Sequence, residues 1–200
     1  MVKQQIAGRG LNDLRLLRAF ESVPRHLFVP EEEIDLAYMD GALPIGCGQT
    51  ISQPFIVAYM TDLLQLTGEE CVLEVGTGTG YQAAILSHLA KEVHTIELIP
   101  SLAERARKML ADYTNIHCHV GDGSLGWPEA APYDGILVTA AAPKAPQSLL
   151  KQLKESGKLV LPVGAEGYQM LEVWTRRGQE FDRKSETGVA FVLLRGKHGW

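Results

Sequence analysis

Three glycines, Gly76, Gly78 and Gly80, directly follow the apolar run CVLEV and precede a helix-like segment. Glycines in a turn from a strand to a helix let backbone N–H groups approach a ligand closely, which predicts a nucleotide-type cofactor. A tight turn that only requires positive φ is the structural alternative. Because Tyr81 follows Gly80, the spacing is G-x-G-x-G rather than the dinucleotide spacing G-x-G-x-x-G, and a pyrophosphate is disfavoured. Glu74, two residues before the first glycine, would also repel a pyrophosphate and could face a cationic or amine-bearing ligand.

Two further carboxylates follow the next two predicted strands. Glu97 ends the segment EVHTIE, where an acidic side chain can accept hydrogen bonds from both ribose hydroxyls; a solvated residue at a strand end is the alternative. Asp122 and Gly123 follow the segment IHCHV, where the Asp side chain or an adjacent N–H could meet an adenine edge; an Asp-Gly turn is the alternative. Ligands of open α/β sheets bind at the carboxyl ends of strands, so the coincidence of all three carboxylates there favours one shared ligand.

The stretch GCGQTISQPF, residues 46–55, places Gly, Thr, Ser, Gln and Pro between two helix-like segments. A connection of this length is unusual unless it binds a ligand, while a turn followed by a helix cap is the alternative. Ser52 lies just before a predicted helix that begins at Pro54, and serine is a favoured N-cap. The two roles are compatible, because a helix N-terminus also offers donors to a carboxylate. No Gly-x-Ser-x-Gly motif surrounds Ser52, so a covalent nucleophile is not indicated.

The elements that must position these residues differ on the two sides of residue 70. Before it, apolar spacing predicts a helix that follows Asn12 or Asp13 and stops before Pro24, a turn-rich connector, and a second helix over residues 54–66. Residues 1–70 are therefore expected to be a helical extension, and residues 41–54 a loop within it.

After residue 70, short apolar runs alternate with amphipathic segments, which predicts an α/β fold with a mostly parallel, doubly wound sheet and helices on both faces. Residues 71–164 are expected to form the cofactor-binding core, in which KAPQSLLKQLKES is a helix that ends at Gly157 and KLVLPVG continues the sheet. In residues 165–200, YQMLEVWT and GVAFVLLR are expected to be antiparallel edge strands separated by the polar stretch RRGQEFDRKSET. No composition shift marks a second domain, so residues 1–200 are expected to form a single domain.

Composition and charge restrict the classes of binding partner and the cellular compartment that the sequence predicts. The formal charge of -5, from 19 Lys plus Arg against 24 Asp plus Glu, gives no electrostatic footprint for nucleic acid or an anionic membrane. The three cysteines fit neither a disulfide framework nor a common zinc pattern, and a reducing cytoplasm is expected. Neither a signal-peptide run nor about 18 consecutive apolar residues is found, so membrane spanning is not expected.

His117 and His119 share one face of a predicted strand, but two ligands without a third do not predict a metal site.

A ribose, an adenine and a cationic amino-acid tail without a phosphate describe S-adenosyl-L-methionine. The sequence resembles the class I methyltransferases in LEVGTGTGY, HTIE and VGDG. Over nearly the whole chain it also resembles the protein-L-isoaspartate (D-aspartate) O-methyltransferases, in VPRHLFVP, YMDGALPIGCGQTISQP, APYDGILVTAAAP and KLVLPVG. The glycine motif is common to many methyltransferases, whereas GQTISQP and VTAAAP are much more specific to this family.

The resemblance implies methyl transfer from S-adenosyl-L-methionine to the α-carboxylate of L-isoaspartyl residues, and less well to D-aspartyl residues, in damaged proteins and peptides. It makes Ser52 the active-site residue, with Thr50, Ile51 and Gln53 lining the substrate pocket. S-adenosyl-L-homocysteine and a methyl ester would be the products, and a monomer without a metal would be the working form. The residues expected to bind the cofactor are Glu74, Gly76, Thr77, Gly78, Gly80, Tyr81, Glu97, Leu98, Asp122, Gly123 and Thr139.

One position departs from the family pattern, because the last apolar segment reads FVLL where relatives commonly read FVPL, with Leu193 in the proline position. Family members use this region to close over the cofactor, so contacts from Arg195 and its neighbours are left open. One alternative is a methyltransferase that acts on nucleic acid or a small metabolite, but a DNA enzyme that methylates amino groups would carry an Asn/Asp-Pro-Pro-Tyr type motif where VTAAAP stands. A dehydrogenase is disfavoured by the glycine spacing and Glu74. A non-catalytic cofactor-binding module is made less favourable by the intact TISQP.

Overall fold

The computed structural model describes residues 1–200. Helical segments and strands alternate through the second half of the chain, as the apolar pattern predicts. The α-helices are α1 Leu14–Ser22, α2 Pro54–Leu64, α3 Tyr81–Ser87, α4 Pro100–Met109 and α5 Gln147–Leu150. The strands are β1 Leu43–Gly46, β2 Gln49–Ile51, β3 Cys71–Val75, β4 Glu92–Glu97, β5 Ile116–Val120, β6 Tyr133–Val138, β7 Leu153–Ala165, β8 Tyr168–Arg177 and β9 Glu180–Val189. A π-helical turn covers Val2–Ile6, and 3-10 turns cover Ala7–Arg9, Arg25–Phe28, Glu31–Leu36, Gly123–Leu125 and Pro128–Ala130.

One seven-stranded sheet organises the molecule, in the order β5-β4-β3-β6-β7-β8-β9. Strands β5, β4, β3, β6 and β7 are parallel, whereas β8 and β9 pair antiparallel at the edge. The order reverses after β3, which is the type of position where open α/β sheets bind ligands. The predicted fold class is confirmed: a mostly parallel, Rossmann-like sheet with antiparallel C-terminal strands.

Side chains of the central strands alternate between the two faces of the sheet, and each face builds its own core. Val72 belongs to a cluster of 30 buried residues that also contains Phe20 and Val57 from α1 and α2. Leu73 belongs to a cluster of 15 buried residues on the other face, together with Leu149 of α5. Burial of both faces explains why these strands are almost continuously apolar.

The N-terminal helices begin where the sequence indicates. The Asp13 carboxylate accepts hydrogen bonds from the N–H groups of Arg15 (2.7 Å) and Leu16 (3.1 Å), and therefore caps α1. Pro54 occupies the first turn of α2, where its missing N–H leaves no hydrogen bond unmade. No helix is both long and apolar enough to cross a membrane.

Three expectations about local structure are wrong. The 41–54 segment is not a loop, because residues 43–51 form an antiparallel β1–β2 hairpin. The segment KAPQSLLKQLKES is not one helix: only Gln147–Leu150 is α-helical, and β7 already begins at Leu153. Gly157 lies inside β7, where a Cβ would come within 3.0 Å of the Tyr133 carbonyl oxygen, so close strand approach rather than helix termination explains the glycine.

The third error concerns the polar stretch RRGQEFDRKSET. It supplies the end of β8, a turn at Gly178 and most of β9, instead of a connection between two apolar strands. An edge strand exposed to solvent carries polar side chains, so its composition differs from that of the buried strands. The apolar segment AFVLLR follows β9 and joins the sheet only through an isolated parallel bridge between Leu193 and Ala141.

Candidate active site

The β1–β2 hairpin forms one wall of the candidate active site. Cys47 and Gly48 make its turn with φ of 54° and 69°, and the register pairs Pro44 with Thr50. Arg105 of α4 donates a hydrogen bond to the Ile45 carbonyl oxygen (3.1 Å), which fastens the hairpin to the main domain. The run of Gly, Thr and Ser in GCGQTIS therefore builds a rigid two-stranded element rather than a flexible connection.

Ser52 lies between the hairpin and α2, but it does not cap the helix. The cap position is Gln53, and no side chain makes a capping hydrogen bond there. The Gln53 amide instead donates to the Asp40 carbonyl oxygen at 3.2 Å. The predicted capping role of Ser52 is wrong, and its hydroxyl is left uncommitted to the helix end.

Three adjoining spaces meet at the hairpin. The first, the glycine-loop pocket, lies at the carboxyl ends of β3, β4 and β6. Six predicted cofactor residues line it: Gly76, Gly78, Glu97, Leu98, Gly123 and Thr139. Other lining residues, which the sequence did not assign, are Gln49, Val75, Ile96, Ile99, Ala140, Val192, Leu193, Leu194 and Arg195.

The second space, the inner cavity, adjoins the glycine-loop pocket, with which it shares Gly76, Gly78 and Thr139, and the third space is a groove beside the hairpin. The inner cavity is small and is lined by Thr50, Ile51 and Ser52 together with Glu74, Thr77 and Tyr81, among others. The hairpin groove is open, has a volume of about 720 Å³, and is lined by Ser52, Gln53, Asp40 and residues 167–170 and 188–191. Thr50 lines all three spaces, and Ser52 lines both the groove and the inner cavity. The hairpin is thus the element that the glycine-loop pocket, the inner cavity and the hairpin groove have in common.

The glycine turn is held by side chains from neighbouring strands. Gly76 has a φ of 98°, and a Cβ there would overlap the Thr139 hydroxyl. Thr139 uses that hydroxyl to donate to the Gly76 carbonyl oxygen at 2.8 Å. Gly80, with φ of 90°, packs against Leu110 and starts α3 without lining any of the three spaces. The glycines thus serve both a close approach to the pocket and the packing of the turn.

Glu97 holds the loop and faces the glycine-loop pocket. One carboxylate oxygen accepts the N–H of Gly78 at 2.8 Å, and the other accepts the N–H of Ile99 at 3.0 Å. Each oxygen keeps a further lone pair, so the side chain can also accept hydroxyl donors from a ligand. Next to it, Leu98 is 41% exposed and lines the same pocket, an unusual exposure for a leucine that offers an apolar surface to a planar group.

Glu74 is completely buried in the inner cavity. Its Oε2 accepts a hydrogen bond from the Thr95 hydroxyl at 2.6 Å, whereas Oε1 has no partner. Burial, the dominant cause, raises the pKa of Glu74 to about 8, against the hydrogen bond from Thr95 that favours the charged form. A buried acceptor without a partner favours a donor or a cation in the adjacent space.

Asp122 is not placed as expected. Its carboxylate accepts the N–H groups of Ser124 (2.9 Å) and Lys197 (2.7 Å), and it does not line the glycine-loop pocket. Partial burial works to raise the pKa of Asp122, but the hydrogen bonds from Lys197 and Ser124 lower it overall. In this structure the carboxylate anchors the C-terminal segment, and only the neighbouring Gly123 reaches the pocket.

Tyr81 also lies away from the glycine-loop pocket. Its ring packs edge-on against Phe28 with centroids 5.5 Å apart, under the buried guanidinium of Arg25. The hydroxyl of Tyr81 and both terminal nitrogens of Arg25 are buried without hydrogen-bond partners. No sequence pattern indicates the burial of Arg25, since a single arginine in a turn-rich connector is typical of a surface residue.

The C-terminal segment covers the glycine-loop pocket. Leu194 donates to the Ala141 carbonyl oxygen and the Ala141 N–H donates to Val192, both at 2.8 Å, so the segment is fixed beside the end of β6. The indole N–H of Trp200 donates to the Ala141 carbonyl oxygen at 3.1 Å. Leu193 and Arg195, whose contacts the sequence left open, both line the pocket.

Comparison with known proteins gives one consistent result. The family model described as protein-L-isoaspartate(D-aspartate) O-methyltransferase matches residues 1–199. A protein-L-isoaspartate O-methyltransferase of Trichlorobacter lovleyi is 54% identical over 204 residues, which cover 100% of this chain and 94% of that one. A solved structure of a protein-L-isoaspartate O-methyltransferase superposes with a TM-score of 0.90 at 26% identity, covering 100% of this chain and 67% of that chain. A Plasmodium falciparum structure in complex with S-adenosyl-L-homocysteine has the same fold, with a TM-score of 0.83, 21% identity, and 97% and 96% of the two chains covered.

Proposed function

Since this chain belongs to the protein-L-isoaspartate (D-aspartate) O-methyltransferase family, we propose that its glycine-loop pocket binds S-adenosyl-L-methionine and its hairpin groove binds the damaged peptide. The enzyme transfers a methyl group from S-adenosyl-L-methionine to the α-carboxyl of L-isoaspartyl residues in proteins and peptides. The single observation that supports the two assignments is the position of Thr50, which lines the glycine-loop pocket, the inner cavity and the hairpin groove, while Ser52 next to it lines the inner cavity and the groove.

The residues of the glycine-loop pocket fit the parts of this cofactor. The Glu97 carboxylate is placed to accept ribose hydroxyls, the exposed Leu98 side chain to pack on the adenine, and Gly123 to let the backbone approach it. In the adjoining inner cavity, the unpartnered Oε1 of Glu74 would accept the amino-acid ammonium, whose charge would favour the ionised carboxylate. When bound, the cofactor supplies an electrophilic methyl group on a sulfonium.

Ser52 is proposed to hold the acceptor carboxylate. A carboxyl group with a pKa of about 4 is already ionised near neutrality, so it needs no general base to become a nucleophile. A hydroxyl donor fixes one carboxylate oxygen and leaves the other free to attack the methyl carbon. Because attack joins opposite charges, a water-poor encounter between two fixed groups accelerates it. Thr50 and Ile51 line the inner cavity beside Ser52, and Gln53 lines the hairpin groove.

Replacement of Ser52 by Ala tests this assignment. A hydrogen bond to a charged group contributes about 1.5–3 kcal/mol, so kcat/KM for an isoaspartyl peptide should fall by roughly 10- to 100-fold. The KM for S-adenosyl-L-methionine should hardly change, and Ser52→Thr, which keeps a hydroxyl, should recover part of the rate. Ser22→Ala, at an exposed position of α1, is the matched control. Near-normal turnover by Ser52→Ala would show that the hydroxyl does not hold the acceptor.

The working form is proposed to be a cytoplasmic monomer that needs no metal for methyl transfer. A net charge of -5 argues against a nucleic-acid partner, three free cysteines suit a reducing compartment, and an ionised acceptor requires no metal activation. Sedimentation should give the mass of one chain, and a chelator should leave the turnover rate unchanged. A dimer, or loss of turnover on chelation, would contradict the respective part of this proposal.

A further inference from the structure

A second group of reactive side chains lies at the amino ends of the parallel strands, whereas the glycine-loop pocket lies at their carboxyl ends. Cys71 and Glu92 are the first residues of β3 and β4, and they are register partners in the parallel pair. His94 lies two residues further along β4 and is the register partner of His117 on β5. Partners in register and residues two apart point to the same face, so all four side chains lie together at the amino ends of three neighbouring strands.

The distances between these groups match those of ligands around one ion. The Cys71 sulfur, a Glu92 carboxylate oxygen and a His94 ring nitrogen all lie within 4.8 Å of one another. The Glu92 Oε1 is 3.3 Å from His94 Nε2 and 3.1 Å from His117 Nε2. Zinc–ligand bonds of about 2.0–2.3 Å in a tetrahedron place ligand atoms about 3.3–3.7 Å apart. The two distances from Glu92 are close to these values, the Cys71, Glu92 and His94 atoms are within 4.8 Å of one another, and His117 joins the group through Glu92.

The His94 ring is already oriented by a second imidazole. His94 Nδ1 and His119 Nε2 are 3.0 Å apart, and the His119 ring stacks on Trp127 with centroids 4.0 Å apart. A hydrogen bond at the far nitrogen is the usual way in which a protein fixes the tautomer and direction of a metal-binding histidine. The Glu92 and His117 side chains are 44% and 46% exposed, which leaves a path for an ion from solvent.

We propose that Cys71, Glu92, His94 and His117 form a zinc site, separate from the active site. A thiolate, two imidazoles and one carboxylate suit Zn²⁺, whereas Mg²⁺ and Ca²⁺ prefer oxygen ligands alone. On binding, the S–H bond of Cys71 breaks, a sulfur–zinc bond forms, and the proton passes to solvent. The sequence showed only His117 and His119 as a pair; the fold adds Cys71, Glu92 and His94, and makes His119 an orienting residue.

The ion would join the amino ends of β3, β4 and β5. Because the methyl-transfer groups lie at the carboxyl ends of these strands, zinc should stabilise the folded protein without changing its turnover. A ligand that binds only the folded state raises the thermal midpoint, in proportion to the logarithm of its concentration above the dissociation constant. The effect of zinc is therefore expected in the melting temperature and not in kcat.

The test uses the full chain without a polyhistidine tag, stripped of metal by chelation. Calorimetric titration with Zn²⁺ should show about one equivalent bound, and Co²⁺ should produce an absorption band from sulfur-to-cobalt charge transfer, which requires a cysteine ligand. Cys71→Ser should abolish the band, and Cys71→Ser, Glu92→Gln and His94→Asn should each weaken Zn²⁺ binding by at least about tenfold. Methyl transfer by each metal-free variant should equal that of the metal-free parent, which shows that the variants are folded.

Cys118→Ser is the matched control, because Cys118 packs against the core on the other face of the sheet from Cys71. This variant should keep both the Zn²⁺ affinity and the cobalt band, and Zn²⁺ should raise its melting temperature as it does that of the parent. The proposal is overturned if the parent binds no stoichiometric Zn²⁺. It is equally overturned if the cobalt band survives in Cys71→Ser, or disappears in Cys118→Ser.

Discussion

The buried carboxyl of Glu74 should make the stability of the free enzyme fall as pH rises. Its folded-state pKa is about 8, against an ordinary value of 4.5, because burial penalises the charged form. Between these two values the folded chain binds more protons than the unfolded chain, so the free energy of unfolding decreases with rising pH throughout that window. The destabilisation is absent below the ordinary value and complete above the folded one.

The size of the effect follows from the shift. A difference of about three and a half pKa units, at about 1.4 kcal/mol per unit, corresponds to a loss of at most about 5 kcal/mol. Glu74→Gln cannot ionise, and its amide oxygen can still accept the hydroxyl of Thr95. Its amide nitrogen at the unpartnered Oε1 position adds a penalty that does not depend on pH. Relative to the parent, the variant should therefore gain several kcal/mol between pH 5 and pH 9.

Urea unfolding at both pH values, in the absence of cofactor, measures this difference. Glu21→Gln, at an exposed position of α1, removes a carboxylate that is not buried and should follow the parent curve. Parallel curves for Glu74→Gln and the parent would refute the reasoning, because they would mean that Glu74 is not held uncharged in the fold. Calorimetry of cofactor binding near pH 7 in two buffers should also show proton release that Glu74→Gln lacks.

Three further changes test the glycine-loop pocket and its cover. Gly76→Ala should abolish binding of S-adenosyl-L-homocysteine in calorimetry, because the new Cβ overlaps the Thr139 hydroxyl and the backbone φ is 98°; retained binding would contradict this. Glu97→Gln should raise the KM for S-adenosyl-L-methionine by about tenfold or more and leave the KM for peptide unchanged. Equal changes in both KM values would contradict the assignment of this residue to the cofactor. Asp122→Ala removes the acceptor of the Lys197 N–H, so that amide should exchange with solvent faster; unchanged exchange would show that Asp122 does not anchor the segment.

Strands β3, β4 and β6 could be predicted because they are buried on both faces, and the edge strand β5 because it continues the same alternation of strands and helices. CVLEV, EVHTIE, IHCHV and YDGILV become β3 to β6 with almost the expected bounds. Strand β9 could not be predicted in the same way, since EFDRKSETGV lies at the exposed edge and its composition carries no burial signal. Gly157 was wrongly predicted to end a helix. A glycine after an amphipathic segment has two explanations, a helix end or a close approach between strands, and only the pairing of β6 with β7 distinguishes them.

The site was predicted best where the backbone determines side-chain position. Gly76, Gly78 and Gly123 line the expected pocket because they follow the carboxyl ends of the parallel strands β3 and β5 within three residues, and such ends meet on one side of the sheet. Asp122 was misplaced because its direction depends on Lys197, a residue 75 positions away. The capping role given to Ser52 failed for a related reason: cap preference is local, whereas the direction of Ser52 follows from the hairpin before it.

The β1–β2 hairpin shares no strand with the seven-stranded sheet. Under the proposed assignment, one side of the acceptor groove therefore belongs to an element outside the cofactor sheet, while residues 167–170 and 188–191 supply the other side. Replacing residues 43–53 by the corresponding segment of another methyltransferase should change the acceptor preference and leave the strand order of the larger sheet as it is. Such a graft must retain the contacts of Gln49 and Thr50, since these two side chains also line the glycine-loop pocket.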